Sequence, residues 1–70
     1  MKIDVGTVIR DGGKIGIVRN VIIAGTWSEE PLFNWTTSCE VEYNDGSVCV
    51  MTELSILRLI EMGKIEVVAE

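Results

Sequence analysis

The sequence predicts a mainly β fold, a small five-stranded barrel with one short C-terminal helix before the last strand. Three stretches predict it. In Glu40–Val50 the apolar residues Val41, Tyr43, Val48 and Val50 alternate with polar or small ones around Asp45-Gly46, a strong hairpin signal because glycine takes positive φ without a Cβ clash. Lys14–Ile23 is the longest β-branched run in the chain, as a long strand requires. Glu53–Met62 carries Leu54, Ile56, Leu57, Leu59 and Ile60 at helical spacings, and Gly63 follows as a stop before Ile65 and Val67 alternate in Lys64–Val68.

In chain order, Met1–Val5 reads as a short lead-in and Gly6–Arg10 as the first strand, closed by the turn Asp11-Gly12-Gly13. In the second strand Ile15 and Ile17 alternate around Gly16, and Val18 then breaks the period. Gly16 therefore marks a bulge or a close backbone approach, and a bulge near Val18–Asn20 would bend the strand. Bent long strands are what a small barrel needs to change sheets.

Ala24–Thr36 has no strand period, holds the single proline, Pro31, and contains Trp27, Phe33 and Trp35, three of the four aromatic residues. A connection of this length is unusual in a compact domain and is either functional or packed on itself. Two roles stay open for the aromatics: a plug in one end of the barrel, or an exposed tip that binds a partner.

Thr36–Tyr43 and Ser47–Met51 are the arms of the central hairpin. A two-residue loop would pair Tyr43 with Val48 and Val41 with Val50, and a three-residue loop would shift that register. Thr52 suits a helix N-cap, and Glu53 suits the positive end of the helix dipole.

Seventy residues with nearly half apolar make one domain, 1–70, with enough apolar mass for a core. No run approaches the roughly 20 apolar residues of a membrane-spanning helix, and Met1–Gly6 lacks a signal-peptide layout. A cytoplasmic protein with no membrane association is expected. The two cysteines, Cys39 and Cys49, fall on opposite sheet faces in the two-residue register, so free thiols are expected rather than a disulfide.

Charge is uneven. Residues 1–20 hold four basic and two acidic side chains, and residues 21–70 hold two basic and nine acidic, for a net charge of −5. Acidity argues against general nucleic-acid binding, though Arg10, Lys14 and Arg19 offer one basic edge as an alternative site. Glu40, Glu42, Glu53 and Glu61 offer another alternative, an acidic face that imitates a phosphate backbone.

The chain has no histidine, which removes the commonest general base and the Ser-His and Cys-His pairings. Neither cysteine has an obvious cationic neighbour to activate it, and Gly12-Gly13-Lys14-Ile15-Gly16 lacks the Lys-Ser/Thr ending of a phosphate loop. Catalysis, cofactors and a metal site are not expected. What the residues offer instead is a protein-binding patch of Trp27, Leu32, Phe33, Trp35 and Tyr43 rimmed by Glu29 and Glu30, since aromatic anchors with a polar rim are the usual anatomy of an interface. The same patch could join two copies of the chain.

The order of elements, with Gly12-Gly13-Lys14-Ile15-Gly16-Ile17-Val18 and Val41-Glu42-Tyr43-Asn44-Asp45-Gly46-Ser47, resembles the Src-homology-3-like barrels, and among them the Tudor and KOW-type modules. The small acidic chain with its Gly-Lys-Ile-Gly-Ile-Val opening also resembles accessory proteins of tailed phages. The resemblance implies a non-catalytic binding module, with partners that are proteins or, for KOW-type modules, nucleic acid. The aromatic cage of Tudor modules would here draw on Tyr43 with Trp35 or Trp27.

Overall fold

The computed structural model describes residues 2–27 and 33–70. Five antiparallel strands form one sheet: β1 (Val8–Asp11), β2 (Lys14–Trp27), β3 (Phe33–Tyr43), β4 (Val48–Thr52) and β5 (Ile65–Ala69), in the spatial order β4-β3-β2-β1-β5. One helix, α1 (Glu53–Glu61), precedes β5. The mainly β class and the place of the helix are as expected. The sheet is open where a closed barrel was expected: β4 and β5 lie at its two edges, and no pairing joins them among the described residues.

The helix explains how an open sheet still encloses a core. It links the two edge strands and lays Ile56, fully buried, against the inner face of the sheet. Around it pack Ile3, Ile9, Val18, Cys39, Val41, Tyr43 and Ile65. Thr52 caps the helix, its hydroxyl accepting the Ser55 N–H at 3.1 Å. At the other end Gly63, at φ 75°, lets the chain reverse while its own N–H donates to the Ile60 carbonyl and that of Lys64 to the Leu59 carbonyl, the paired bonds of a Schellman stop.

The lead-in is part of the core. Ile3 is fully buried, and its N–H donates to Glu53 Oε2 at 3.1 Å, tying the amino-terminal segment to the first turn of α1. Gly6 donates to the Val18 carbonyl at 2.8 Å, and Val18 donates to the Thr7 carbonyl at 2.9 Å.

The central hairpin takes the three-residue loop, Asn44-Asp45-Gly46. Tyr43 N–H donates to the Ser47 carbonyl at 2.8 Å, and Gly46 sits at φ 88°, as a type I turn followed by a left-handed residue demands. Val41 is therefore opposite Cys49 and Cys39 opposite Met51. That register turns Val41, Tyr43, Cys39 and Cys49 to the inner face, and Val48 and Val50 to the outer face beside Glu42 and Glu40. The two cysteines thus share a face, contrary to the two-residue register, and both are free thiols. Burial, with Glu53 and Asp4 nearby, pushes the Cys39 thiol above its ordinary pKa.

β2 is bent where its period breaks: the pairing with β3 slips between Val18 and Asn20. Beyond that bulge β2 and β3 run on together as far as Trp27 opposite Phe33. Much of Ala24–Thr36, read from sequence as a loop, is thus strand. β4 pairs only with Ser38–Glu42 of β3, so the outer part of β2–β3 is a ribbon two strands wide. The chain accordingly measures 40 × 23 × 18 Å.

Candidate functional site

The ribbon carries the two tryptophans. Gly25 pairs with Trp35 and Trp27 with Phe33, and side chains two apart share a face. Trp27 and Trp35 are therefore diagonal neighbours on one face, a spacing within reach of large aromatic side chains. Gly25 has no side chain to crowd Trp35 from directly across. Trp27 is 80% exposed and Trp35 70%, which leaves them outside the core and removes the barrel-plug role. The pairing also places Ile23, 64% exposed, on this face opposite Thr37.

Following the register inward shows what this face is. Ile23 and Thr37 precede Val21 and Cys39, and then Val18 and Val41, which are core positions. The tryptophan face continues the inner, apolar face of the sheet past the part that α1 covers. At the junction Trp35, Thr36 and Thr37 face Thr52, Glu53 and Leu54 across a shallow cleft of about 320 Å³. Val21–Trp27 and Phe33–Cys39 contain no charged residue. An uncharged strand pair with exposed indoles and a threonine-lined cleft at its base can bury apolar surface and exchange hydrogen bonds.

Phe33 stands in register with Trp27. Glu29, Glu30 and Leu32, the remaining rim and anchor candidates, lie outside the described residues. Tyr43 is a core residue rather than a surface one: it is 7% exposed, and its hydroxyl donates to Asp11 Oδ2 at 3.0 Å. Burial, reinforced by the carboxylate of Asp11, pushes its pKa up to about 12. The Lys14 ammonium stands 5.5 Å from its ring centroid. Tyr43 is thus separated from the tryptophans and builds no aromatic cage with them.

The three cations of the candidate basic edge are each held by carboxylates. Arg10 pairs with Glu66 at 3.4 Å and Lys14 with Asp45 at 3.2 Å. Arg19, on the bulge of β2, binds Glu40 through Nε and Glu42 through Nη1. The Glu40 hydrogen bond is the main cause that raises the Arg19 pKa above its ordinary value. Hydrogen bonds from the Ser47 hydroxyl and N–H, with Lys14 adding, bring Asp45 down to about 2. The same pairs engage the acidic face, since Glu40 and Glu42 belong to Arg19 and Glu53 to the Ile3 N–H.

Among the described residues no group of three or more potential ligands could hold a metal ion, and no helix is long and apolar enough to cross a membrane. Sequence reasoning singled out the tryptophans but missed Ile23 and Leu54. Ile23 ends the β-branched run just before the aromatic stretch, a signal that the strand continues outward. No family model, no curated protein and no solved structure matches this chain.

Proposed function

We propose that this is a non-catalytic binding module that captures a protein partner on the tryptophan face of the β2–β3 ribbon. The observation that carries this reading is the exposure of Trp27 and Trp35 on one face of an uncharged ribbon. Tryptophan is strongly enriched among the residues that dominate binding energy, and charged residues are depleted from interface centres. Continuity with the core face supports the reading, because it supplies further apolar contact at Ile23 and Leu54. Strand order and the helix before β5 are compatible with a Src-homology-3-like module left open at one side. So small and acidic a chain suits an accessory factor, such as a phage-encoded modulator of a host protein. Carboxylates held against Arg10, Lys14 and Arg19 favour neither a nucleic-acid-binding edge nor an acidic mimic.

The test is capture from cell lysate, with and without nuclease, by the wild-type chain and by Trp27→Ala/Trp35→Ala. The reading expects a nuclease-resistant protein on the wild type and its loss from the variant, with the far-ultraviolet circular dichroism unchanged. A variant that retains the partner, or a partner lost with nuclease, would overturn it.

A further inference from the structure

The two edges of the sheet differ in a way that the ribbon does not explain. β5 is guarded. Glu66 stands on it, Lys64 and Glu70 flank it, and its pairing with β1 slips between Val8 and Ile9, so that Val68 is an extra residue. Charges and bulges are the devices by which monomeric proteins keep edge strands from pairing with other chains. β4 has neither. Ser47–Thr52 contains no charge, no proline and no glycine, its pairing with β3 is regular, and Val48, Cys49 and Val50 are all exposed.

The backbone of β4 can be oriented from the hairpin. Because Tyr43 and Ser47 face one another through the Tyr43 N–H, alternation directs the polar groups of Cys49 and Met51 toward β3. Those of Val48 and Val50, with the Thr52 N–H, point to the open edge, while the Thr52 carbonyl, as that of a helix N-cap, turns to α1. We propose that this edge pairs with the β4 edge of a second copy, antiparallel and about a two-fold axis at Val50, so that the sheet runs continuously through both molecules.

A second copy is the occupant the edge fits. A two-fold at Val50 sets Val50 against its counterpart and Val48 against Thr52 of the other copy. Each of the three outward-facing residues then meets another outward-facing one, adding about four hydrogen bonds. A chain with net charge −5 meets its copy with least repulsion where no charge lies, and the carboxylates beside the edge are engaged within the chain, Glu40 and Glu42 by Arg19, Asp45 by Lys14 and Glu53 by the Ile3 N–H. Val50, 59% exposed, would be covered. Five-residue edges bury less than a standard interface, so the dimer is weak and depends on concentration. Antiparallel pairing also sends the two ribbons in opposite directions, giving one assembly two tryptophan faces and the avidity of a bivalent binder. The pairing does not rest on the function proposed for those faces.

The experiment is sedimentation velocity across a concentration series, on the wild type, Val50→Lys, Val68→Lys and Trp27→Ala/Trp35→Ala. The expected result is a mass rising with concentration from 7.7 kDa toward twice that value for the wild type, the β5 variant and the tryptophan variant. Val50→Lys should require at least tenfold higher concentration to associate. A wild type that stays single throughout would overturn the proposal. So would a folded Val50→Lys that associates over the same concentrations as the wild type, or dissociation produced by the tryptophan variant instead. If Val50→Lys fails to fold, amide hydrogen exchange of the wild type decides. Protection of the Val50 and Thr52 N–H groups that grows with concentration supports the pairing, and protection independent of concentration overturns it.

Discussion

Tyr43 lies directly across from Gly16, and its ring occupies the space where a side chain at that position would stand. A Cβ on Gly16 would meet Tyr43 Cδ1 and Cε1 at 3.0 Å and Val41 Cγ1 at 2.6 Å. Both neighbours are buried core side chains, so neither has room to withdraw. Gly16→Ala should therefore cost about 1–3 kcal/mol, the usual penalty for overpacking. Urea unfolding would show a lower midpoint with an unchanged slope, and an unaltered midpoint would mean the ring does not cover Gly16.

The Tyr43 hydroxyl sets an alkaline limit. An unfolded tyrosine titrates near 10, whereas the native state keeps this proton to about 12. Below pH 10 both states are protonated and the contribution is fully present. Between 10 and 12 the unfolded chain ionises first, so stability falls, and above about 12 the contribution is gone. Tyr43→Phe should cost about 1 kcal/mol at neutral pH through loss of the bond to Asp11. Its urea midpoint should then decline less than that of the wild type from pH 10 to 12; parallel declines would refute the assignment.

Ile3 should matter more than its place near the end of the chain suggests. Its side chain is fully buried in the core, so Ile3→Ala should destabilise by about 2–5 kcal/mol. Exposed Val5, two residues on, should tolerate alanine within about 0.5 kcal/mol. Equal effects of the two substitutions in thermal melts would remove Ile3 from the core.

These residues mark what the sequence makes legible. The bulge at Val18–Asn20, the Thr52 cap and the Gly63 stop depend on a few adjacent residues, and local chemistry reveals them, whereas Gly16 alone leaves a bulge and a close approach open, because the side chains it meets, Val41 and Tyr43, lie on another strand. The hairpin register does not yield so easily, since Asp45-Gly46 closes two-residue and three-residue loops alike. The burial of Ile3 rests on contacts distant in sequence. The ribbon is illegible for a different reason. Periodicity appears only where one face is buried and the other wet, and beyond Val21 both faces of β2–β3 are largely exposed. Ala24–Thr36 therefore reads as a loop although Ala24–Trp27 and Phe33–Thr36 pair as strands, while its tryptophans stand out by composition as the candidate site.

Because Trp27 and Trp35 are the two tryptophans of the chain and both are largely exposed, intrinsic fluorescence reports on the ribbon rather than the core. Native emission should already resemble that of solvated indole, and acrylamide should quench it nearly as well as in urea. Unfolding followed by fluorescence should then show a small change where circular dichroism shows a full transition. Addition of a true partner should shift emission to the blue and protect it from quencher, because interface tryptophans act by desolvation. Trp27→Ala and Trp35→Ala, measured separately, would apportion that shift between the two rings. A strongly quencher-resistant native state would instead place the indoles in an apolar environment within the chain itself and count against the ribbon as a binding surface.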